Sequence, residues 1–91
     1  MDGQDFAARL ARDGFTEIET KTLATRPVND GHAHDCTVRG LVLDGEFIVT
    51  CGDETPRSYR AGETFEVAAG VPHTEAIGAD GARIVVGRKY S

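Results

Sequence analysis

Ninety-one residues, 40% apolar and 27% charged, make one globular domain and leave no room for a second core. The net charge of −5 comes with no cluster of Lys and Arg, which excludes the phosphate-neutralising surface that a nucleic-acid partner needs. No apolar run approaches the roughly 18 residues that cross a bilayer, so no membrane span is expected.

The first residues, Met1-Asp2-Gly3-Gln4-Asp5, are acidic and lack the basic-then-apolar layout of a secretory signal, so the expected location is cytoplasmic. Two cysteines, Cys36 and Cys51, are too few for a disulfide scaffold and are read as small thiols on strands. At this size folding hides only about 60–65% of the unfolded surface. A bound ion or a partner subunit is therefore an expected source of stability.

Over residues 4–13 the apolar side chains Phe6, Ala7, Leu10 and Ala11 recur at helical spacing, with Asp2 placed to cap the start and Gly14 to stop the helix. Residues 1–14 are thus expected to form a short amphipathic helix lying on something larger. Residues 15–25, rich in Thr, Ile and Phe, suit an extended strand. Arg26-Pro27-Val28-Asn29-Asp30-Gly31 reads as a loop.

Short strands then follow at 32–38, 39–43, 46–51, 57–60, 64–67, 73–77 and 82–89, separated by turn residues. Asp44-Gly45 reads as a two-residue hairpin turn, because both positions tolerate positive φ. Gly78-Ala79-Asp80-Gly81 reads as another break. Many short strands with Gly-rich turns predict an all-β antiparallel sandwich or barrel over residues 1–91, with one helix at its start.

Three histidines are all the chain has: His32, His34 and His73. On a strand, residues i and i+2 share a face about 6.6 Å apart, so His32 and His34 aim two imidazoles at one point while Ala33 faces away. His73 follows 39 residues after His34, and only a folded barrel brings it to the pair. Before it, Gly70 permits a sharp turn and Pro72 fixes φ. Neutral imidazole is the commonest protein ligand for transition metals, so these three are the candidate metal ligands.

The arrangement resembles the cupin superfamily. The first cupin motif, His-x-His, three or four residues, Glu, six residues, Gly, is matched at His32, His34 and Gly45. The second, Gly, five residues, Pro-x-Gly, two residues, His, is matched at Gly62, Gly70 and His73, with Ala68 replacing the proline. The resemblance implies a double-stranded β-helix, or jelly roll, and a divalent transition metal (Fe, Ni, Zn or Mn) on the three histidines. Where the motif has its Glu, this chain has Val38, or Arg39 at the alternative spacing.

Three neutral imidazoles leave the full +2 on such an ion, and in a low-dielectric barrel that favours an anionic small-molecule ligand. Glu75 shares a strand face with His73 and is the candidate catalytic carboxylate, as fourth ligand, orienting group or general base. Arg39, if it reaches the cavity mouth, is the candidate clamp for a substrate carboxylate. Asp35 is expected to face outward, and Cys36 is a further candidate neighbour of the metal.

The expected function is a small metal-dependent enzyme. Iron would suit a dioxygenase, while zinc, nickel or manganese would suit an isomerase or lyase. The alternative is a non-catalytic small-molecule-binding or sensing module, free-standing because no helix-turn-helix segment follows the last strand. A homodimer is expected in either case, through an open edge of strand 15–25 or of strand 82–89.

Overall fold

The structure is a computed structural model that describes residues 2–26, 33 and 35–90. His32, His34 and residues 27–31 of the loop expected over 26–31 lie outside the described residues. A helix, α1 (Gly3–Arg12), precedes five strands: β1 (Thr16–Leu23), β2 (Cys36–Cys51), β3 (Arg57–Arg60), β4 (Thr64–Val67) and β5 (His73–Tyr90).

α1 starts where its capping chemistry places it. The Asp2 carboxylate accepts a hydrogen bond from the Asp5 amide at 2.8 Å, Asp5 is acidic in the first turn, and Arg9 and Arg12 are basic in the last. Phe6 and Leu10 bury their side chains against Phe15, Leu41 and Val85. At about 1.5–3 kcal/mol for each large apolar side chain buried, this contact holds the helix on the sheet.

The two long strands organise everything else. All pairings are antiparallel. The first part of β2 lies between β4 and the last part of β5, and β1 adds on the far side of β5. The second part of β2 lies between β3 and the first part of β5, which a bridge from Arg26 to Ile77 extends. Each long strand therefore passes from one sheet layer to the other, which closes the layers around an apolar interior. Val42, Phe47, Phe65, Ile77, Ile84 and Val86 fill that interior, while Leu41 and Val85 face the helix on the outside.

The hairpin expected at Asp44-Gly45 is absent, because β2 runs through it, and β5 likewise runs through residues 78–81. The register with β5 slips between Val42 and Asp44 and again between Gly45 and Phe47, so the site is a bulged bend rather than a turn. Gly45 (φ +78°) supplies a left-handed residue there, and any Cβ on it would run into the Gly81 carbonyl. The glycine lets two strands cross in contact, and crossing keeps both continuous.

The strand break expected between 38 and 39 is absent too, and Gly40 lies within continuous β2. This glycine is the cross-strand partner of Phe65, whose ring occupies the space a Cβ would take. The same topology corrects one of the two edges expected for dimerisation. β5 has β1 on one side and β2 on the other along residues 82–88, so it has no edge to offer.

Candidate functional site

His73 opens β5 immediately after Gly70 (φ +79°), Val71 and Pro72. Its entry is pinned by the Gly52 amide, which donates to the Pro72 carbonyl at 2.9 Å, and Cys51 is its cross-strand partner. The ring is only 3% exposed. Its Nδ1 lies 3.1 Å from the Val71 carbonyl oxygen and its Nε2 lies 3.2 Å from Glu75 Oε2. The Val71 carbonyl can only accept, so Nδ1 is the donor to the backbone, and Nε2 is the nitrogen that faces the carboxylate.

Glu75 sits two residues further along the same strand face, as alternation requires. Its Oε1 lies 3.6 Å from the Arg26 guanidinium. Arg26 is held in place by two backbone hydrogen bonds, its amide donating to the Ile77 carbonyl at 3.2 Å and the Ile77 amide donating to its own carbonyl at 3.0 Å. The carboxylate is therefore fixed from one side by Arg26 while its other oxygen meets the imidazole. A carboxylate oxygen and an imidazole nitrogen at that separation share a proton or a cation, so both side chains are of the type that ligates a metal. Among the described residues no three His, Cys, Asp or Glu side chains gather around one point, and the other two histidines lie outside those residues.

Glu75 also lines a cavity of about 220 Å³ inside the barrel. Its apolar wall is Leu23, Val38, Phe47, Phe65, Ile84 and Val86, and its polar wall is Lys21, Arg26, Glu75 and Arg88. The Phe47 and Phe65 rings pack with centroids 4.8 Å apart and planes tilted by 32°. Val38, standing where the motif has its Glu, packs against the interior core, so the carboxylate at this cavity comes from β5 instead of β2. A larger open groove of about 710 Å³ lies at the crossing of β2 and β5 and shares only Leu23 with the cavity.

Arg39 is not the substrate clamp expected from sequence. It follows the cavity-lining Val38, so alternation sends its side chain to the outer face. There its Nε pairs with Glu66 at 2.6 Å, one terminal nitrogen pairs with Asp13 at 3.0 Å, and the guanidinium lies 4.5 Å over the Phe15 ring. The hydrogen bond to Glu66 holds Arg39 above its usual pKa. This residue ties the end of α1 to β2 and β4. Asp35 is exposed, and Cys36 is buried opposite Tyr90.

Sequence reasoning missed three cavity cations, Lys21, Arg26 and Arg88. Arg88 is the cross-strand partner of Val38 and continues the inward row Ile84, Val86. That alternating row ending in an arginine was the signal available. Arg88 also lies 3.5 Å from Glu17, whose φ of +52° in the left-handed region falls at the irregularity between Thr16 and Glu19.

No protein-family model and no curated protein matches the sequence. Solved structures do match. Protein NMB1881 from Neisseria meningitidis superposes with a TM-score of 0.71 at 18% identity, over 98% of this chain and 97% of that one. An RmlC-like cupin family protein with a double-stranded β-helix fold, from Methanocaldococcus jannaschii, gives 0.71 at 20% identity over 85% and 72%. This chain has the cupin fold. Oxalate decarboxylase from Bacillus subtilis, a protein with Mn(II) centres, gives 0.69 at 19% identity, over 80% of this chain and 20% of that one. The chain also spans less than two thirds of some smaller cupins, 65% in the case of an RmlC-like cupin from Shewanella frigidimarina. At these identities the likeness establishes the barrel and its long strands, and the chemistry rests on the residues inside.

Proposed function

We propose that this cupin is a metal-dependent enzyme that acts on a small anionic metabolite at a centre formed by His32, His34 and His73, with Glu75 as the adjacent acid or base. The observation that carries this reading is the His73–Glu75 pair, in which a buried imidazole is oriented by a backbone carbonyl and its other nitrogen meets a carboxylate at 3.2 Å. The His-x-His spacing of the first pair supports it, as does the presence of Mn(II) centres in one protein of the same fold.

A divalent transition ion held by the three imidazoles would supply Lewis acidity, or redox chemistry if it is iron. The chain's own residues do the rest. The Val71 carbonyl orients the His73 ring, Arg26 holds one oxygen of Glu75, and Glu75 Oε2 keeps a proton-accepting atom beside the His73 Nε2. Phe47 and Phe65 give the cavity that Glu75 lines an apolar wall.

The test is elemental analysis of untagged protein, before and after loading with Fe(II), Ni(II), Zn(II) or Mn(II), followed by turnover of small carboxylic acids. The expected result is stoichiometric uptake that His34→Ala and His73→Gln abolish, with Glu75→Gln retaining metal but losing turnover. No uptake of any first-row metal overturns the reading. Metal uptake with tight ligand binding and no turnover overturns its catalytic half and leaves a binding module.

A further inference from the structure

We propose that the barrel cavity is a binding site for a small organic monocarboxylate, whose carboxylate is gripped by Lys21 and Arg88 and whose apolar body lies on Phe47, Phe65 and Ile84. This names the ligand class of the site described above and rests on that reading only for what the bound anion is presented to.

Charge carries the first part of the inference. The chain as a whole is acidic, yet among the described residues the cavity wall carries three cations, Lys21, Arg26 and Arg88, and one carboxylate, Glu75. Arg26 is already matched to Glu75 at 3.6 Å. Arg88 meets Glu17 at 3.5 Å, and Lys21 is in no ion pair among the described residues. Among the described residues these three cations meet two carboxylates, Glu75 and Glu17, so the wall and its ion partners keep one net positive charge, which suits a monoanion. A guanidinium has five N–H donors, so Arg88 can hold Glu17 on one side and a ligand carboxylate on another. Glu17 is then a positioning residue, directing Arg88 from a bulged, left-handed backbone position.

Register places the two grips on one face. Lys21 is opposite Ile84 across β1 and β5, and Arg88 lies four residues further along the same inward row. Glu19, opposite Val86 and two residues from Lys21, has the same strand parity, but it is exposed and not part of the wall.

Size and polarity carry the second part. About 220 Å³ lies below the roughly 300–1,000 Å³ of pockets that take drug-sized ligands, which suits a small molecule rather than a nucleotide or a peptide. Among the described residues the aromatic and aliphatic side chains of the floor offer no polar atom to a hydroxylated body. A carboxylate on a short aliphatic chain or a single ring meets both conditions.

The experiment uses the full chain after chelator treatment, so that binding is read without any metal. Butyrate, benzoate, their neutral amides and inorganic phosphate are titrated by calorimetry, with methyl resonances of Ile84 and Val86 followed in parallel. The expected result is binding of the carboxylates with shifts at those methyls, and binding about tenfold weaker or more for the amides and for phosphate. Lys21→Met should weaken the carboxylates about tenfold and Lys21→Arg should restore them. Lys89→Met, on the outer face beside Phe15, should change nothing. Equal affinity for amide and acid, preference for phosphate, or no methyl shift overturns the proposal. Metal uptake without carboxylate binding sinks this inference and leaves the metal reading intact. Carboxylate binding by a protein that takes up no metal does the reverse.

Discussion

Replacing Gly45 by alanine tests the crossing on which the barrel depends. Two effects add at this position. An L-residue at φ +78° is strained by about 1–2 kcal/mol, partly offset because alanine narrows the unfolded ensemble by about 0.4–1 kcal/mol. The new methyl would also sit 2.8 Å from the Gly81 carbonyl carbon and 2.9 Å from Ala82 Cα, closer than carbon atoms approach without strain. Those atoms are main chain of β5, held by β2 on one side and β1 on the other, so they cannot swing aside as a side-chain tip would. Overpacking of this kind costs about 1–3 kcal/mol.

Gly52 provides the control. It also has positive φ, +54°, but nothing lies within 4 Å of its Cβ position. Gly52→Ala should therefore cost only the backbone part, roughly 1 kcal/mol. The gap between the two variants isolates the contact, at about 2 kcal/mol. In a domain of this length that gap separates the melting temperatures by roughly 8–16 °C. Thermal unfolding followed by far-ultraviolet circular dichroism, with urea titrations to confirm the order, measures it. Equal melting temperatures for the two variants would refute the claim that Gly45 serves a close strand crossing.

Two further outcomes follow from side chains outside the cavity. Arg39→Ala should lose about 1–2 kcal/mol, the sum expected of exposed ion pairs and a cation–π contact, with a smaller loss in high salt, while carboxylate and metal binding stay unchanged. A selective loss of carboxylate binding at unchanged stability would return Arg39 to the site. Tyr90 is pushed up to about 12, first by its hydrogen bond to Glu17 and then by desolvation and the Glu17 charge. The folded state thus favours the neutral phenol, so this contribution is full below pH 10 and is lost as pH rises from there through about 12. Phenolate absorbance should show one late-ionising tyrosine that Tyr90→Phe removes, and the variant should lack the corresponding alkaline drop in urea midpoint.

The local chemistry of this chain was legible before any fold was known. Helix α1 shows in the spacing of Phe6 and Leu10 and in the cap at Asp2, since such signals need only neighbours a turn away. The barrel class shows in the run of short alternating segments, and the His73–Glu75 pair in a separation of two on a strand. Strand continuity was not legible. Asp44-Gly45 has the composition of a hairpin turn, and only the presence of Gly81 across the crossing makes it a bulge.

The division falls where contact order changes. Within one strand, periodicity decides which residues share a face, and sequence alone determined that Val38 and Arg39 must part company. Which face is the interior depends on partners far along the chain, because burial is a property of the closed sheet. Only the tertiary structure therefore sent Arg39 outward to Asp13 and Glu66, and set Lys21, Arg26 and Arg88 around a cavity in a chain whose composition reads as acidic.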